Sequence, residues 1–244
     1  MRIEFLGTSH GRPEPNRRCS CIMVEVAGER YLFDMGIAVW EDLITQGIAP
    51  ESLKGIFITH MHMDHTAGLP SFLALWPTYY KAGGPFFYVP GDVAAVKAGI
   101  AAFLACNGAE HPAGAEYRTV TEGPLFTSAG GLRVTAYQTK HTKASYAYLL
   151  EAEGRRVLIS GDLSHTPSAD FPSAVLDAPL DLAICECAHF EATEYLKIFA
   201  GGRVPRCLCF THYSEWHLAS VLSMQAKLPE VRVMRAQDGT VINL

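Results

Sequence analysis

The chain has 244 residues, 49% hydrophobic and 18% charged, with 20 basic against 25 acidic side chains and a formal charge of −5. That balance describes a soluble globular chain long enough to bury one large core without disulfides, so a metal here should be read as functional first. It excludes the basic stripe that long nucleic acids select, and no apolar run approaches the ~20 residues of a membrane helix. Met1–Arg12 also lacks the basic-then-apolar order of a signal peptide, which leads us to expect a cytoplasmic protein with no membrane partner.

Period and punctuation predict strands at Ile3–Leu6, Cys21–Val26, Arg30–Asp34, Gly55–Thr59 and Phe86–Val89. A second series is expected at Leu132–Gln138, Tyr146–Glu151, Arg156–Ser160, Leu180–Cys185, Cys207–Thr211 and Arg232–Arg235. Helices are expected around Val39–Gln46, Gly68–Leu75, Val93–Cys106, Ala192–Phe199 and Glu215–Ala226. A hairpin-rich start in each half, followed by alternating strand and helix, suggests sheets covered by helices in layers. Asn107–Gly131 reads as a long surface excursion within one domain spanning 1–244. Three cysteine pairs at i, i+2 (Cys19/Cys21, Cys185/Cys187, Cys207/Cys209) fall on one face of a strand and read as small buried residues, not disulfides or zinc knuckles.

Ile56-Phe57-Ile58-Thr59-His60 and Leu208-Cys209-Phe210-Thr211-His212 are both an apolar run, then Thr, then His. Two more apolar strands end near His141 and Asp162, so four strand ends deliver a possible metal ligand. Layered α/β proteins tend to place their sites at such ends. The densest signal is His60-Met61-His62-Met63-Asp64-His65, three imidazoles and a carboxylate in six residues. These are ligands that suit zinc, manganese and iron, and the segment from His65 reads as the first turn of a helix.

His60-x-His62-x-Asp64-His65, His141, Asp162 in Ser160-Gly161-Asp162 and His212 in Phe210-Thr211-His212 together resemble the signature of the metallo-β-lactamase superfamily. Asp34 in Leu32-Phe33-Asp34-Met35-Gly36 resembles that superfamily's supporting aspartate. The resemblance implies an α/β fold, a four-layer αββα sandwich, with two divalent ions in a cleft at one edge. It implies that His60, His62 and His141 hold the first ion, Asp64, His65 and His212 the second, and that Asp162 bridges them. Zinc comes first, with manganese or iron as alternatives. Such a pair can share a hydroxide near neutral pH and clamp the substrate's oxygens. Asp64 could then accept the nucleophile's proton, and Asp34 would accept an N–H from His60 or His62.

Phe5-Leu6-Gly7-Thr8-Ser9-His10-Gly11-Arg12-Pro13, Gly68-Leu69-Pro70, Phe87-Tyr88-Val89-Pro90-Gly91-Asp92 and Thr211-His212-Tyr213-Ser214 resemble the ribonuclease Z and phosphodiesterase branch. The chain departs from a transfer-RNA nuclease in three places. Little chain separates His141 from Asp162, leaving no room for a tRNA-gripping arm. Only Glu191-Ala192-Thr193 resembles part of that branch's EAT motif, and Glu215-Trp216 stands where a basic residue is expected. The expected function is therefore a dinuclear hydrolase of a small phosphodiester, cyclic or nucleotide-like. A thioester or lactone hydrolase is the alternative, and an iron redox protein is the alternative from another class. The expected partner is a small molecule rather than long nucleic acid; oligomeric state, a homodimer included, is open. His189 in Cys185-Glu186-Cys187-Ala188-His189 is a candidate proton donor to the leaving oxygen, with His165 as its rival and His10 a weaker candidate. His111 and His217 read as solvated. Trp76-Pro77-Thr78-Tyr79-Tyr80 reads as core aromatics, with a cleft wall as the other option.

Overall fold

A computed structural model of the chain describes residues 1–12, 14–81 and 83–244, so Pro13 of the opening motif lies outside the described residues. Its strands are β1 (Arg2–Gly7), β2 (Cys21–Val26), β3 (Glu29–Phe33), β4 (Leu53–Phe57), β5 (Phe86–Val89), β6 (Tyr117–Thr119) and β7 (Gly123–Thr127). They continue with β8 (Arg133–Thr139), β9 (Ser145–Ala152), β10 (Arg155–Ile159), β11 (Leu182–Cys187), β12 (Cys207–Tyr213), β13 (Arg232–Arg235) and β14 (Val241–Asn243). The helices are α1 (Trp40–Thr45), α2 (Met63–Thr66), α3 (Gly68–Tyr79), α4 (Val93–Ala105), α5 (Tyr195–Phe199) and α6 (Leu218–Lys227).

Two sheets form, in the orders β14-β1-β2-β3-β4-β5-β6 and β13-β12-β11-β10-β9-β8-β7. Side chains alternate across each strand and so sort into layers. From β2, Ile22, Val24 and Val26 enter the core between the sheets, where Phe33, Phe57, Tyr148, Leu150, Val157 and Ile184 meet them. Cys21 and Met23 face the other way, under Trp40, Phe72 and Trp76 of α1 and α3. In the second sheet Leu158, Ala183, Leu208 and Phe210 face outward against Tyr195 of α5 and Val221 and Met224 of α6. The result is the αββα order that the resemblance implies. Each i, i+2 cysteine pair does share a face, and all seven cysteines are unbridged.

Several readings change. The stretch Asn107–Gly131 carries β6 and β7, each the outermost strand of its sheet. Both are short, and β7 contains Pro124, which an edge strand tolerates because its N–H is not needed. β14, three residues at the opposite edge, is also additional. α3 runs past Leu75 through Pro77, while Ala192–Glu194 and Glu215–His217 are 3₁₀ turns ahead of shorter α-helices. Trp76 packs against Phe72 and Tyr80, so that aromatic run is core and not a cleft wall. No helix among the described residues is long and apolar enough to cross a membrane.

Strands β3, β4 and β5 run parallel, as do β10, β11, β12 and β13. Their carboxyl ends therefore open at one edge of each sheet, and the chemically distinctive residues gather there.

Candidate metal centre

Three imidazole nitrogens converge first. His60 Nε2 lies 3.0 Å from His62 Nδ1, and His141 Nε2 lies 3.2 Å from the same atom. Asp162 Oδ2 stands 3.7 Å from both His60 Nε2 and His141 Nε2. Zinc–nitrogen bonds of about 2.0–2.1 Å in a tetrahedron separate their donors by little more than 3 Å, so this spacing suits one ion. A second set adjoins it. His65 Nε2 is 3.5 Å from Asp64 Oδ2 and 3.4 Å from Asp162 Oδ1, and His212 Nε2 is 3.6 Å from Asp64 Oδ2 and 3.3 Å from Asp162 Oδ2. Within each set the donor atoms lie within 4.8 Å of one another. Asp162 thus faces both sets, one oxygen toward His65 and the other toward the rest.

His65 Nε2 and Asp162 Oδ1 are buried without a hydrogen-bond partner, which a protein interior rarely tolerates. A cation between them satisfies both, so the residues present fit a pair of divalent ions. Burial and the neighbouring His65 push the His60 imidazole down to about 2, holding it in the neutral form that ligates metals. Burial disfavours charge on His65, yet the Asp162 and Asp34 carboxylates outweigh it and hold His65 well above the ordinary histidine range. For Asp162 burial is likewise outweighed, here by His212 and His65, and its carboxyl falls well below the usual range.

The ligand loop is placed by backbone pairing. Ser20 N–H donates to the Asp64 carbonyl (3.0 Å), Met35 N–H to the His65 carbonyl (2.8 Å) and Gly68 N–H to the Met35 carbonyl (2.8 Å). This zips residues 34–36 to the start of α2 and α3. Gly36 is required there, because a Cβ would sit 1.9 Å from the Asp64 carbonyl oxygen. Asp34 and His212 both hold left-handed backbone, with φ of 62° and 47°. For side chains other than glycine that conformation costs on the order of 1–3 kcal/mol and tends to occur where the surroundings over-determine it.

Asp34 has a different partner from the one expected. His65 Nδ1–H donates to Asp34 Oδ2 at 2.7 Å, and Asp34 reaches His60 only through Thr59. The Thr59 hydroxyl lies 3.0 Å from both Asp34 oxygens and 3.1 Å from His60 Nδ1, so the chain runs His60 N–H to Thr59 O–H to carboxylate. His62 cannot join it, since its Nδ1 is the atom turned toward His60 and His141. Asp64 is also less open than its expected role suggests; its side chain is 15% exposed.

His189 stands beside the centre, with Nε2 3.9 Å from Asp162 Oδ2 and its ring centroid 4.7 Å from that of His141. Its Nδ1–H donates to Glu186 Oε1 at 2.9 Å. His165 instead donates to the His189 carbonyl (2.9 Å), one step behind. His10 is buried and bound to Glu14 at 2.9 Å. Neither remaining histidine is simply solvated: His111 is half-buried against the Tyr117 hydroxyl (2.9 Å), and His217 Nδ1–H donates to the Cys187 carbonyl (3.0 Å). Glu191-Ala192-Thr193 contributes to neither donor set, and Ala192 N–H donates to Ser220 Oγ of α6.

Two positioning carboxylates escape the sequence reading. Glu186 is buried and accepts from the N–H groups of Leu163 (2.9 Å) and Ala188 (2.7 Å) as well as from His189. Asp170 accepts from Lys140 N–H and Ser164 N–H, both at 2.6 Å, tying the loop of His141 to the loop of Asp162. Glu186 did carry a signal, an acid inside an otherwise apolar strand; Asp170 carried none.

The ribonuclease Z of Lactobacillus johnsonii is 39% identical over 97 residues, 38% of this chain and 31% of that protein. The ribonuclease Z of Haloarcula marismortui is 28% identical over 156 residues, 64% of this chain and 49% of that protein. The matches therefore span less than half the length of these curated relatives. The crystal structure of the metallo-β-lactamase fold protein YhfI from Bacillus subtilis superposes with a TM-score of 0.77 at 20% identity, over 99% of this chain and 98% of that one. Residues 15–229 match the family model described as the metallo-beta-lactamase superfamily, and with the αββα layers and the shared aspartate between two donor sets, the chain belongs to that superfamily.

Proposed function

We propose that this chain hydrolyses a small phosphodiester, cyclic or nucleotide-like, with two divalent ions, zinc foremost. The observation that carries the reading is a cavity of about 320 Å³ lined by His62, Asp64, Asp162 and His212, with His189 in its wall. When bound, two such ions supply a nucleophile at neutral pH and positive charge for the substrate's oxygens. His60, His62 and His141 would hold one, Asp64, His65 and His212 the other, and Asp162 both. Asp34 fixes the tautomers of His65 directly and of His60 through Thr59. Asp64 would take the proton of an attacking water, and His189 would give one to the leaving oxygen.

Two features favour a small substrate over folded RNA. A cavity of that volume is at the size of a single nucleotide-like group. Between His141 and Asp162, the chain is used up by the hairpin β9–β10, which turns at Glu153-Gly154, so no arm projects there to grip distant phosphates. The metal-loaded protein is therefore expected to turn over a chromogenic phosphodiester or cyclic nucleotide with weak salt dependence, and to leave precursor tRNA intact. Each phosphate held by Lys or Arg adds about one unit to the salt slope, so the slope itself reports how much nucleic acid is gripped. Efficient precursor-tRNA cleavage that collapses with salt would overturn the small-substrate reading. Turnover confined to thioesters or lactones would replace phosphorus chemistry with carbonyl chemistry.

Asp34→Asn is expected to lower kcat/KM by about 10–100-fold, the usual cost of losing the acceptor behind a ligating histidine, with elemental analysis still finding the ions. Metal loss as complete as in an Asp162 variant would place Asp34 among the ligands instead.

A further inference from the structure

Of the three tryptophans, Trp40 and Trp76 are core residues, each 4% exposed, whereas Trp216 is 69% exposed. It stands on the wall of the same cavity that the metal donors line, where the resembled branch leads one to expect a basic residue. The Arg12 guanidinium lies over the indole, 4.7 Å from its centroid. Glu14, the acid closest to Arg12 in sequence, is already committed to His10 and Arg17.

Both supports are fixed. Arg12 N–H donates to His10 Nδ1 (3.3 Å), while Ser9 Oγ–H donates to the Arg12 carbonyl (3.1 Å). Gly11 between them packs on the metal loop so closely that a Cβ would come within 3.2 Å of Asp64 Oδ2. Trp216 sits on the 3₁₀ turn that His217 pins to the Cys187 carbonyl and that Ser220 Oγ–H caps at the His217 carbonyl (2.9 Å). A large, mostly exposed aromatic ring thus stands beside the donors, with the Arg12 guanidinium over it and the His10 ring centroid 6.4 Å away, tilted by 44°.

Resting on the phosphodiesterase reading above, we infer that Trp216 is a specificity residue: it stacks a planar aromatic base attached to the scissile phosphate, making the substrate nucleotide-like rather than an alkyl or sugar phosphodiester. Every base has a π-face, so the platform discriminates base from no base more than one base from another. Stacking one base is worth about 5–150-fold in affinity. Arg12 holds the indole in place and adds the positive field that favours an anionic ligand.

The test is titration calorimetry on the zinc-loaded protein with two probes that share a phosphate and a ribose, adenosine 5′-monophosphate and ribose 5-phosphate. Wild type is expected to prefer the nucleotide by about 5-fold or more. Trp216→Ala should reduce that preference to within about two-fold, and Trp216→Phe should restore part of it. The absence of a preference in wild type, or its survival in Trp216→Ala, overturns the inference. Circular dichroism of the variants checks that an exposed substitution has left the fold alone. Binding is read without turnover, so the two readings separate. Phosphodiester turnover without base preference removes the platform and keeps the hydrolase; base preference without turnover does the reverse.

Discussion

Asp162→Ala is expected to lower kcat/KM by about 10³-fold or more and to strip the second ion, in contrast to the smaller effect of Asp34→Asn. The carboxylate is 3% exposed and lies within 3.3–3.7 Å of donor nitrogens from His60, His65, His141 and His212. Removing it leaves those imidazoles facing one another with only Asp64 as a negative charge among them. Two cations held close together also repel, and a shared carboxylate is the group that offsets this. Elemental analysis of the purified variant beside its kinetics is the measurement. Two retained equivalents with substantial activity would show that Asp162 is dispensable and that the two donor sets work independently.

His189→Ala should lower kcat by about 10²–10⁴-fold on a substrate with a poor leaving group, the range for loss of a general acid, with metal content unchanged. The loss should shrink to less than about 10-fold on a 4-nitrophenyl ester, because that leaving group departs without a proton. Burial alone would lower this histidine's proton affinity, but the Glu186 carboxylate raises it further, to about 9. His189 therefore carries its proton at neutral pH and loses it as pH climbs through the raised value, so activity should fall on the alkaline side. Glu186→Gln removes the carboxylate that does the raising and should move that alkaline limb to lower pH. Equal losses on good and poor leaving groups, with an unmoved limb, would assign His189 a merely structural place.

The clustering of the candidate donors was legible in the sequence because four of them lie within six residues and the other three follow or close strands, where local pattern suffices. The layers were legible differently: β2 and β12 are apolar on both faces and so need cover on each side, while the αββα order came from the resemblance. What escaped was set by distance in the chain. Asp34 meets His65, thirty-one positions away, because Met35 and Gly68 zip two loops together, and no spacing in the sequence announces that. Asp170 reaches Lys140 across a similar gap of thirty positions, while Ser164 lies only six before it. The edge strands β6, β7 and β14 were missed because each is short and mixes polar residues, Gly or Pro among its few apolar ones, unlike the apolar run Phe86–Val89. His111 and His217, polar residues beside loops, read as wet until the Tyr117 hydroxyl and the Cys187 carbonyl supplied partners.

Neither half of the chain owns a complete centre. His60, His62, Asp64 and His65 follow β4 of the first sheet, whereas His141, Asp162 and His212 come from the second. Each ion would thus act as a rivet through the seam between the two sheets, joining layers otherwise held by the apolar core that they share. Ion occupancy and the docking of the sheets become thermodynamically linked, since whatever binds only the assembled form stabilises it in proportion to its free concentration. A chelator would then do more than silence the chemistry: it would loosen the edge at which the substrate enters, while the helices on the outer faces kept their packing.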